Sequence, residues 1–488
     1  MSHPLAVLRV FALALLAFSF TLLLPAAAAW FGQDETPAAF AAFMSGFTAT
    51  FASAVCLWLL TRRYANELRG RDGFLLASLI WVVTPAFAAI PFALFFPSMS
   101  FTDAYFEAVS GLTTTGATAI TGLDALPFSV NLWRALLVFL GGMGLLVLTV
   151  AILPLLGIGG RQLFSAESPG PVKEVRLVPR MVKTALYLWP IYFALAVACA
   201  LGYAWAGMEW GDAVLHTLAT LGLGGFSSHD ASYAFFDSPV IEAVAILFMT
   251  LAGMNFATHF MAAQRRSLSF YRADPEVRWY LGVMYASVLG VAVYLWQTDT
   301  FPDFPAALRF AAFNVVSLAT TAGFFNTDYA LWPFFAPLWM LFLSSFVSCA
   351  GSAGGGLKMM RALIVFRQVT REVVNTVHPN AVRAVKLAEA SLSNEMVFAV
   401  LAFTFAYMVS LVSLTLLMMF SGQDLVTGFS AVVVSFNNAG PGLGSVGPGA
   451  TFASLTDFQT WVCIVAMLLG RLEIFILLAV FSPAFWRK

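Results

Sequence analysis

The stretch SGLTTTGATAI occupies residues 110–120, and three later stretches of the chain resemble it. They read LATLGLGGFSS (218–228), SLATTAGFFNT (317–327) and SFNNAGPGLGS (435–445). Each one ends a hydrophobic segment with small or polar residues and a glycine. The four glycines are Gly116, Gly224, Gly323 and Gly440, at separations of 108, 99 and 117 residues. This spacing is too long for a solenoid, and it predicts four copies of one loop-bearing unit.

The composition is that of a membrane protein. Of 488 residues, 60% are hydrophobic and 10% are charged, and the mean hydropathy is +0.85, whereas soluble domains carry about 25% charged residues. Segments long enough to cross about 30 Å of hydrocarbon recur along the whole chain. We place ten spans, at Leu5–Trp30, Ala38–Leu60, Phe74–Phe96, Val130–Gly157, Thr184–Gly207, Pro239–Ala263, Trp279–Trp296, Phe334–Val365, Asn394–Phe420 and Phe458–Phe481. In such a chain, four small glycine-marked loops predict four pore loops around one ion pathway.

Charged residues are divided unequally between the two sides of these spans. Basic clusters follow the second, fourth, sixth and eighth spans and close the chain, whereas the other side is acidic and holds only Arg134 and Arg309 as basic residues. The clusters are Arg62, Arg63, Arg69 and Arg71; Arg161, Lys173, Arg176, Arg180 and Lys183; Arg265, Arg266, Arg272 and Arg278; and Arg361, Arg367, Arg371, Arg383 and Lys386. The positive-inside rule therefore predicts that both termini are cytoplasmic.

Two groups of residues admit more than one interpretation. Arg9, the apolar run after it and Ala26–Ala29 also fit the outline of a signal peptide, although the later topology would be unchanged. The four cysteines lie in apolar spans, and we interpret them as packing residues rather than disulfides or a metal cluster. They are Cys56, Cys199, Cys349 and Cys463.

From Phe74 onward each unit has the same order: an apolar span, a short segment, the glycine-centred loop and a second span. The short segments are Phe101–Thr114, Gly211–Leu221, Pro305–Thr320 and Asp424–Phe436. They are too short to cross a membrane and suit helices that enter from outside and turn back. Two full crossings per unit predict direct repeats about an axis along the membrane normal, since inverted repeats need an odd number. Ordinary turns are the alternative, but the shared phase of the four units favours pore loops.

The predicted fold is therefore an all-α polytopic membrane protein with two leading peripheral helices and four pseudo-symmetric repeats. The leading helices occupy residues 1–66. The repeats occupy residues 67–165, 166–272, 273–385 and 386–488.

Several phrases of the sequence closely resemble the TrkH branch of the TrkH/KtrB superfamily of potassium transporters. They are SGLTTTGATAI, LGGFSSHD (223–230), SFNNAGPGLG (435–444), SAGGGLKMMR (352–361) and MLLGRLEIFILL (467–478), and together they span nearly the whole chain. The resemblance implies a pseudo-tetrameric single chain that takes up potassium and forms a homodimer. It also implies a cytosolic nucleotide-binding ring of the TrkA type as partner, and a preference for potassium over sodium.

A dehydrated cation needs its water shell replaced by oxygen atoms, which backbone carbonyls supply in pore loops. Glycine suits such loops because it adopts backbone dihedrals closed to other residues. The candidate potassium-binding residues are Thr113, Thr114, Thr115 and Gly116; Leu221, Gly222, Leu223 and Gly224; Thr320, Thr321, Ala322 and Gly323; and Asn437, Asn438, Ala439 and Gly440. Potassium, as the transported ion, is the only metal expected, and no organic cofactor is.

The eighth span contains a run of small residues that cannot form a stable helix, because each glycine costs about 1 kcal/mol relative to alanine. Irregular backbone at membrane depth survives only where protein or water surrounds it. The alternative is that small residues merely allow close helix packing. The resemblance implies a gate under the filter, and the candidate gate residues are Gly351, Ser352, Ala353, Gly354, Gly355, Gly356 and Lys358.

Arg471 lies deep in the last span, where an unpaired charge costs at least about 2.5 kcal/mol. Glu473 is two residues on and points to another face, so it is not an assured partner. The alternative is that Arg471 snorkels towards the cytoplasmic headgroups. We hypothesise instead that it projects into the cavity below the filter as an electrostatic barrier to cations.

Asn255 and His259 share a helical face at i and i+4, and we expect an interhelical hydrogen bond there. His216, His229 and His378 are scattered and lack metal-ligand spacing. The connector Arg361–Lys386 also suits docking of a cytosolic partner or anionic lipid.

Two other functions remain open, a sodium- or proton-coupled potassium symporter and a polytopic membrane enzyme, although the enzyme would need paired ionisable residues at the midplane.

Overall fold

The computed structural model describes residues 3–32, 36–64, 70–144, 181–380, 383–387, 390–472 and 474–486. The end of the fourth predicted span, most of the basic cluster after it and Glu473 lie outside these residues.

The described chain is predominantly helical, as predicted. Its helices are α1 His3–Thr21, α2 Leu23–Phe31, α3 Pro37–Thr61, α4 Gly70–Ala88, α5 Ile90–Phe95, α6 Phe101–Leu112, α7 Phe128–Phe139, α8 Met181–Trp205, α9 Trp210–Gly222, α10 Pro239–Ala252, α11 Phe256–Arg265, α12 Ser269–Ala273, α13 Pro275–Gln297, α14 Phe304–Ala319, α15 Phe335–Ser344, α16 Met359–Val377, α17 Asn394–Phe420, α18 Leu425–Asn437, α19 Asp457–Arg471, α20 Ile474–Phe481 and α21 Pro483–Trp486. Two short strands, β1 Lys386–Leu387 and β2 Ala390–Ser391, pair antiparallel.

Six of the described helical segments are long and apolar enough to cross a membrane without a sharp bend, and two bent pairs bring the number to eight. The pair α10–α11 bends by 94°, and α19–α20 is the other. The fourth predicted span begins as α7 and continues into a π-helical turn, Leu140–Gly144. The eighth is divided into α15 and α16. The all-α polytopic fold is thus confirmed, but several of its spans are broken.

The bend between α10 and α11 removes the shared face expected for Asn255 and His259, although His259 forms the expected interhelical hydrogen bonds. The Asn255 side chain accepts a hydrogen bond from the Ala257 N–H at 2.9 Å and caps α11, so the two residues do not share a face of one continuous helix. The His259 ring donates from Nε2 to the Leu251 carbonyl and contacts the Tyr271 hydroxyl through Nδ1, both at 2.8 Å. These bonds fasten the bend.

Four short helices, α6, α9, α14 and α18, are the predicted pore helices, with ends within two residues of those expected. Side chains cap three of their four starts. Ser100, Asp303 and Asp424 accept hydrogen bonds from the first turns of α6, α14 and α18, while Glu209 precedes α9 without a side-chain bond. Such caps satisfy N–H groups that have no partner within the helix.

The pore helices are arranged in a ring. Each packs against a helix of the preceding unit: α9 against α7, α14 against α10, α18 against α15, and α6 against α19, which comes from the last unit. The leading helices α1–α3 pack against α4, α5 and α7 of the first unit. The chain is therefore four pseudo-symmetric repeats around one axis, with the two leading spans at the periphery.

Candidate functional site

The four glycine-centred loops meet at one place. Each loop has one glycine that lies against the neighbouring loop. The contact is with a carbonyl oxygen, which belongs to the residue just before that neighbour's own glycine. The glycine–carbonyl pairs are Gly116–Gly224, Gly225–Ala322, Gly323–Ala439 and Gly440–Thr115. A Cβ atom added to any of these glycines would lie within 3.3 Å of its paired oxygen. The series closes on itself, so main-chain oxygens from four loops surround one axis.

Backbone geometry fixes which residues of the loops correspond. After each pore helix, one residue adopts a left-handed conformation, and the glycine two positions later also has a positive φ. The left-handed residues are Thr114, Leu223, Thr321 and Asn438, with φ of 57°, 53°, 65° and 54°, and the glycines are Gly116, Gly225, Gly323 and Gly440, with φ of 79°, 55°, 80° and 87°. The residue between them donates its N–H five positions back, as in a Schellman helix end. These bonds run from Thr115 to Ser110, Gly224 to Ala219, Ala322 to Ser317 and Ala439 to Val434.

This register corrects the second loop by one residue. Gly225, and not Gly224, is equivalent to Gly116, Gly323 and Gly440, so Leu221 falls one position outside the quartet that begins with Thr113 in the first loop. Gly222, Leu223 and Gly224 remain within the corresponding quartet, 222–225. We refer to Thr114–Gly116, Leu223–Gly225, Thr321–Gly323 and Asn438–Gly440 as the central ring.

A second set of hydrogen bonds links the loops further out. Each bond joins one loop to its neighbour, and the set again closes. The bonds run from Arg134 Nη1 to the Ser227 carbonyl at 2.9 Å, from the Tyr233 N–H to the Phe325 carbonyl at 2.9 Å, from the Tyr329 hydroxyl to the Pro441 carbonyl at 2.9 Å, and from the Phe452 N–H to the Thr118 carbonyl at 2.9 Å. The central ring is therefore braced from outside by a closed belt.

Side chains of the fourth loop brace the ring from within the protein. Asn437 donates to the Ser344 hydroxyl at 3.0 Å and accepts from the Tyr407 hydroxyl at 2.6 Å. Asn438 donates to the Thr115 hydroxyl at 2.9 Å and to the Met467 carbonyl at 3.2 Å. These amides hold the loops in place. Because the other three loops have different side chains at these positions, main-chain oxygens are the groups that all four loops share.

A funnel with a cavity volume of about 60 Å³ opens onto the ring and is lined by three of its glycines, Gly116, Gly225 and Gly323. Arg134 also lines the funnel, but its guanidinium is 1% exposed and bonds to the fully buried Glu107 through Nε at 2.8 Å. Glu107 accepts further hydrogen bonds from the Thr118 hydroxyl and the Ala119 N–H. The charge of Arg134 is thus neutralised where it would otherwise repel a cation, and the pair ties the first loop to the second.

His229 forms a second bridge between the first two loops. Its Nδ1 lies 2.5 Å from Asp124 Oδ1 and its Nε2 lies 3.1 Å from Asp212 Oδ2. Burial alone would lower the pKa of His229, but its hydrogen bonds to Asp212 and Asp124 outweigh burial and raise it. The centre of the His216 ring lies 6.4 Å from that of the His229 ring. The prediction that these two histidines are scattered is therefore wrong.

The stability contributed by the His229 bridge should depend on pH. Because its folded pKa is raised, the contribution is fully present below the ordinary histidine pKa of about 6.5 and is lost as the pH rises through the folded pKa. We expect the melting temperature of the purified wild-type protein to fall over this range more than that of His229→Gln. His378→Gln, at the exposed end of α16, should keep the wild-type profile. Parallel profiles for wild type and His229→Gln would contradict the bridge.

Residues 345–358, which we call the glycine-rich segment, separate α15 from α16 without forming a helix, as predicted. The segment lies directly against the third and fourth loops. The Gly355 N–H donates to the Thr321 hydroxyl at 2.8 Å, and the Ser348 hydroxyl donates to the Thr320 carbonyl at 3.2 Å. A Cβ atom on Gly355 would collide with the Asn437 carbonyl oxygen. Lys358 folds back, and its Nζ donates to the Gly354 carbonyl.

Arg471 ends α19 and contacts the glycine-rich segment. Its Nη1 donates to the Ala353 carbonyl at 3.0 Å, while Nη2 donates to the carbonyls of Gly141 and Gly142 in the π-helical turn. The guanidinium also lies 5.3 Å from the ring centre of Trp81. Arg471 therefore connects the glycine-rich segment to the first unit. Glu473 lies outside the described residues.

Several of these contacts were missed from the sequence. Gly225 is adjacent to Gly224, which the sequence suggested as the loop glycine. The only signal in the sequence was that the second loop has three glycines, Gly222, Gly224 and Gly225, and so could be aligned with the other loops in three ways. The ion pair of Arg134 had a signal, since a basic residue on an acidic side calls for a partner. Among the described residues no group of three or more acidic, histidine or cysteine side chains suits a metal ion, and the four cysteines are free. Cys56 is exposed, so only the other three are packing residues.

Comparison with known proteins identifies the family. The TrkH family model, described as a cation transport protein, matches residues 39–488. The Trk system potassium uptake proteins TrkH of Salmonella typhimurium and Escherichia coli (strain K12) are each 43% identical over 488 residues, covering all of both chains. The crystal structure of the potassium transporter TrkH from Vibrio parahaemolyticus has a TM-score of 0.89 and 40% identity, with 99% of each chain covered. These relatives are named as transport proteins and not as enzymes, and the chain belongs to the TrkH family of cation transport proteins.

Proposed function

We propose that this protein takes up potassium through the central ring. The observation that carries the proposal is the closed arrangement of four loops, in which each glycine abuts a main-chain oxygen of its neighbour. Carbonyl oxygens at such close quarters can replace the hydration shell of a cation. The names of its relatives favour potassium as the substrate. The membrane potential would supply about 2.3 kcal/mol per charge for each 100 mV.

Uptake of radioactive rubidium tests this function. The protein should restore rubidium accumulation in potassium-starved cells that lack their own uptake systems, and excess sodium should compete weakly. Absence of uptake by a correctly inserted protein would reject the proposal. Sodium- or proton-coupled symport is the alternative mechanism, and it requires that uptake at a fixed membrane potential depends on the gradient of the second ion.

We also propose that the glycine-rich segment is the gate and that Arg471 is an electrostatic barrier below the ring. The support is that Gly355 contacts Thr321 while Arg471 contacts Ala353. A guanidinium placed there opposes the passage of cations and holds the segment in place. Arg471→Ala removes both effects.

We therefore expect Arg471→Ala to raise rubidium uptake by about tenfold, the equivalent of about 1.4 kcal/mol. Arg471→Lys keeps the charge but loses the forked donor geometry, and it should fall between wild type and the alanine variant. Both uptake values are to be normalised to protein in the membrane. Unchanged or reduced uptake by a folded Arg471→Ala protein would reject the barrier.

The remaining parts of the proposal concern the setting of the protein. The basic connectors favour the bacterial cytoplasmic membrane with both termini inside. We propose a homodimer regulated by a TrkA-like cytosolic nucleotide-binding ring, since the relatives are named as proteins of a Trk system. The connector Arg361–Lys386 is the proposed docking surface, although Arg361 itself is 5% exposed and packs against Phe403. Crosslinking of the termini by reagents confined to the cytosol tests the topology. Copurification with the ring protein tests the partnership.

A further inference from the structure

Glu276 is a buried carboxylate that the proposed pathway does not use. It is the second residue of α13 and is 1% exposed. Its backbone position is fixed, because Asp274 caps α13 and accepts a hydrogen bond from the Glu276 N–H at 2.9 Å. Burying a carboxylate is costly unless hydrogen bonds compensate for the lost water. The partners of this side chain therefore indicate why it is tolerated.

Both partners belong to the base of the glycine-rich segment. Glu276 Oε1 accepts hydrogen bonds from the Ala350 N–H at 2.6 Å and from the Met360 N–H at 3.1 Å. Ala350 immediately precedes Gly351, and Met360 is the second residue of α16. One carboxylate oxygen thus joins the two ends of residues 351–359, which contain all four glycines of the run.

The tip of the segment is held by different residues. Thr321 and Arg471 contact its tip at Gly355 and Ala353, whereas Glu276 holds its base from a different helix. Glycines provide little resistance to backbone rotation, so the position of the segment depends on these external fastenings. Hydrogen bonds that involve an ionised group are about twice as strong as neutral ones, so Glu276 at the base and Arg471 at the tip are both firm attachments.

We propose that Glu276 is a positioning residue that clamps the base of the glycine-rich segment and thereby keeps the gate closed. This inference rests on the proposed function of the segment. An acidic residue in the first turn of a helix is also favoured by the helix dipole. That role does not explain why its oxygen bonds to two N–H groups of another part of the chain.

The test compares Glu276→Ala and Glu276→Gln with wild type in cells that lack a cytosolic regulatory partner. Glu276→Ala should raise rubidium uptake by about tenfold, since about 1.4 kcal/mol corresponds to that factor. Glu276→Gln should give a smaller increase, because its amide oxygen still accepts hydrogen bonds without the charge. Glu395→Gln, which alters an exposed carboxylate in the first turn of α17, is the control and should leave uptake unchanged.

A second measurement reports the segment directly. In a background without the four native cysteines, a cysteine introduced as Ser352→Cys should react faster with a water-soluble thiol reagent when Glu276 is alanine or glutamine. A purely structural loss would lower uptake in proportion to protein abundance and would not rank the two variants in this order.

The outcomes separate the two proposals. If neither wild type nor any of the variants takes up rubidium, the proposed function fails. If wild type is active and Arg471→Ala raises uptake, but uptake and Ser352→Cys reactivity are unchanged or reduced in Glu276→Gln, the clamp fails while the gate stands. Because glutamine has nearly the same shape as glutamate, that variant decides the question even if Glu276→Ala does not fold.

Discussion

Gly225→Ala is expected to reduce rubidium uptake by about tenfold or more. The added Cβ atom would lie 2.5 Å from the Ala322 carbonyl oxygen and 3.0 Å from the Gly323 carbonyl carbon. Overpacking of this kind costs about 1–3 kcal/mol, and about 1.4 kcal/mol corresponds to a factor of ten. Here the collision is with backbone of the central ring, so relief requires that a proposed ion-binding oxygen moves.

Two matched substitutions sharpen this prediction. Gly290→Ala, where the new Cβ atom meets nothing within 4 Å, should retain wild-type uptake. Gly224→Ala collides mainly with a side chain, at 2.5 Å from Val138 Cγ1. Val138→Ala should therefore partly rescue Gly224→Ala but not Gly225→Ala. If Val138→Ala rescued Gly225→Ala but not Gly224→Ala, Gly224 would instead be the equivalent of Gly116, as the sequence suggested.

Arg134→Leu is expected to lower the free energy of unfolding by about 3–5 kcal/mol, because it leaves the carboxylate of Glu107 buried without its partner. Glu107 is 0% exposed, so water cannot replace the lost contact. Glu107→Leu should be similarly damaging, since it isolates the guanidinium. The double variant should lose less stability than the sum of the two single variants, with an interaction energy of about 1–3 kcal/mol.

Denaturant titration of the detergent-solubilised variants measures these differences. Glu372→Gln changes a largely exposed carboxylate and should stay within about 0.5 kcal/mol of wild type. Strict additivity of the two single substitutions would show that the pair does not act as a unit. Rubidium uptake by the double variant further separates the bracing role of the pair from its effect on charge at the funnel.

The sequence was most informative about features that repeat. Apolar spans, the four short helices and the irregular run from Gly351 to Gly356 follow from hydropathy and glycine content. The described residues contain the four short helices, the irregular run and six to eight segments that suit a span. Conformation within a loop was harder to predict. LGLGG presents three glycines, and only the left-handed backbone of Leu223 identifies Gly225 as the equivalent of Gly116.

Contacts between distant residues account for the other differences. The break before α11 had a local signal, because Asn255 is a good helix cap, but the hydropathy of the sixth span concealed it. The clamp of Glu276 had no such signal. Its partners Ala350 and Met360 donate through the main chain, and main-chain donors are identical at every residue except proline.

The closure of the central ring has a consequence for how the protein is made. Asn438 bonds to Thr115 across 323 residues of chain, and α6 packs against α19 from the last unit. During synthesis, the first loop lacks these contacts until the final quarter of the polypeptide emerges from the ribosome. Contacts so distant in sequence form slowly. The ion pathway is therefore completed only in the last stage of biogenesis, and no prematurely terminated chain contains it.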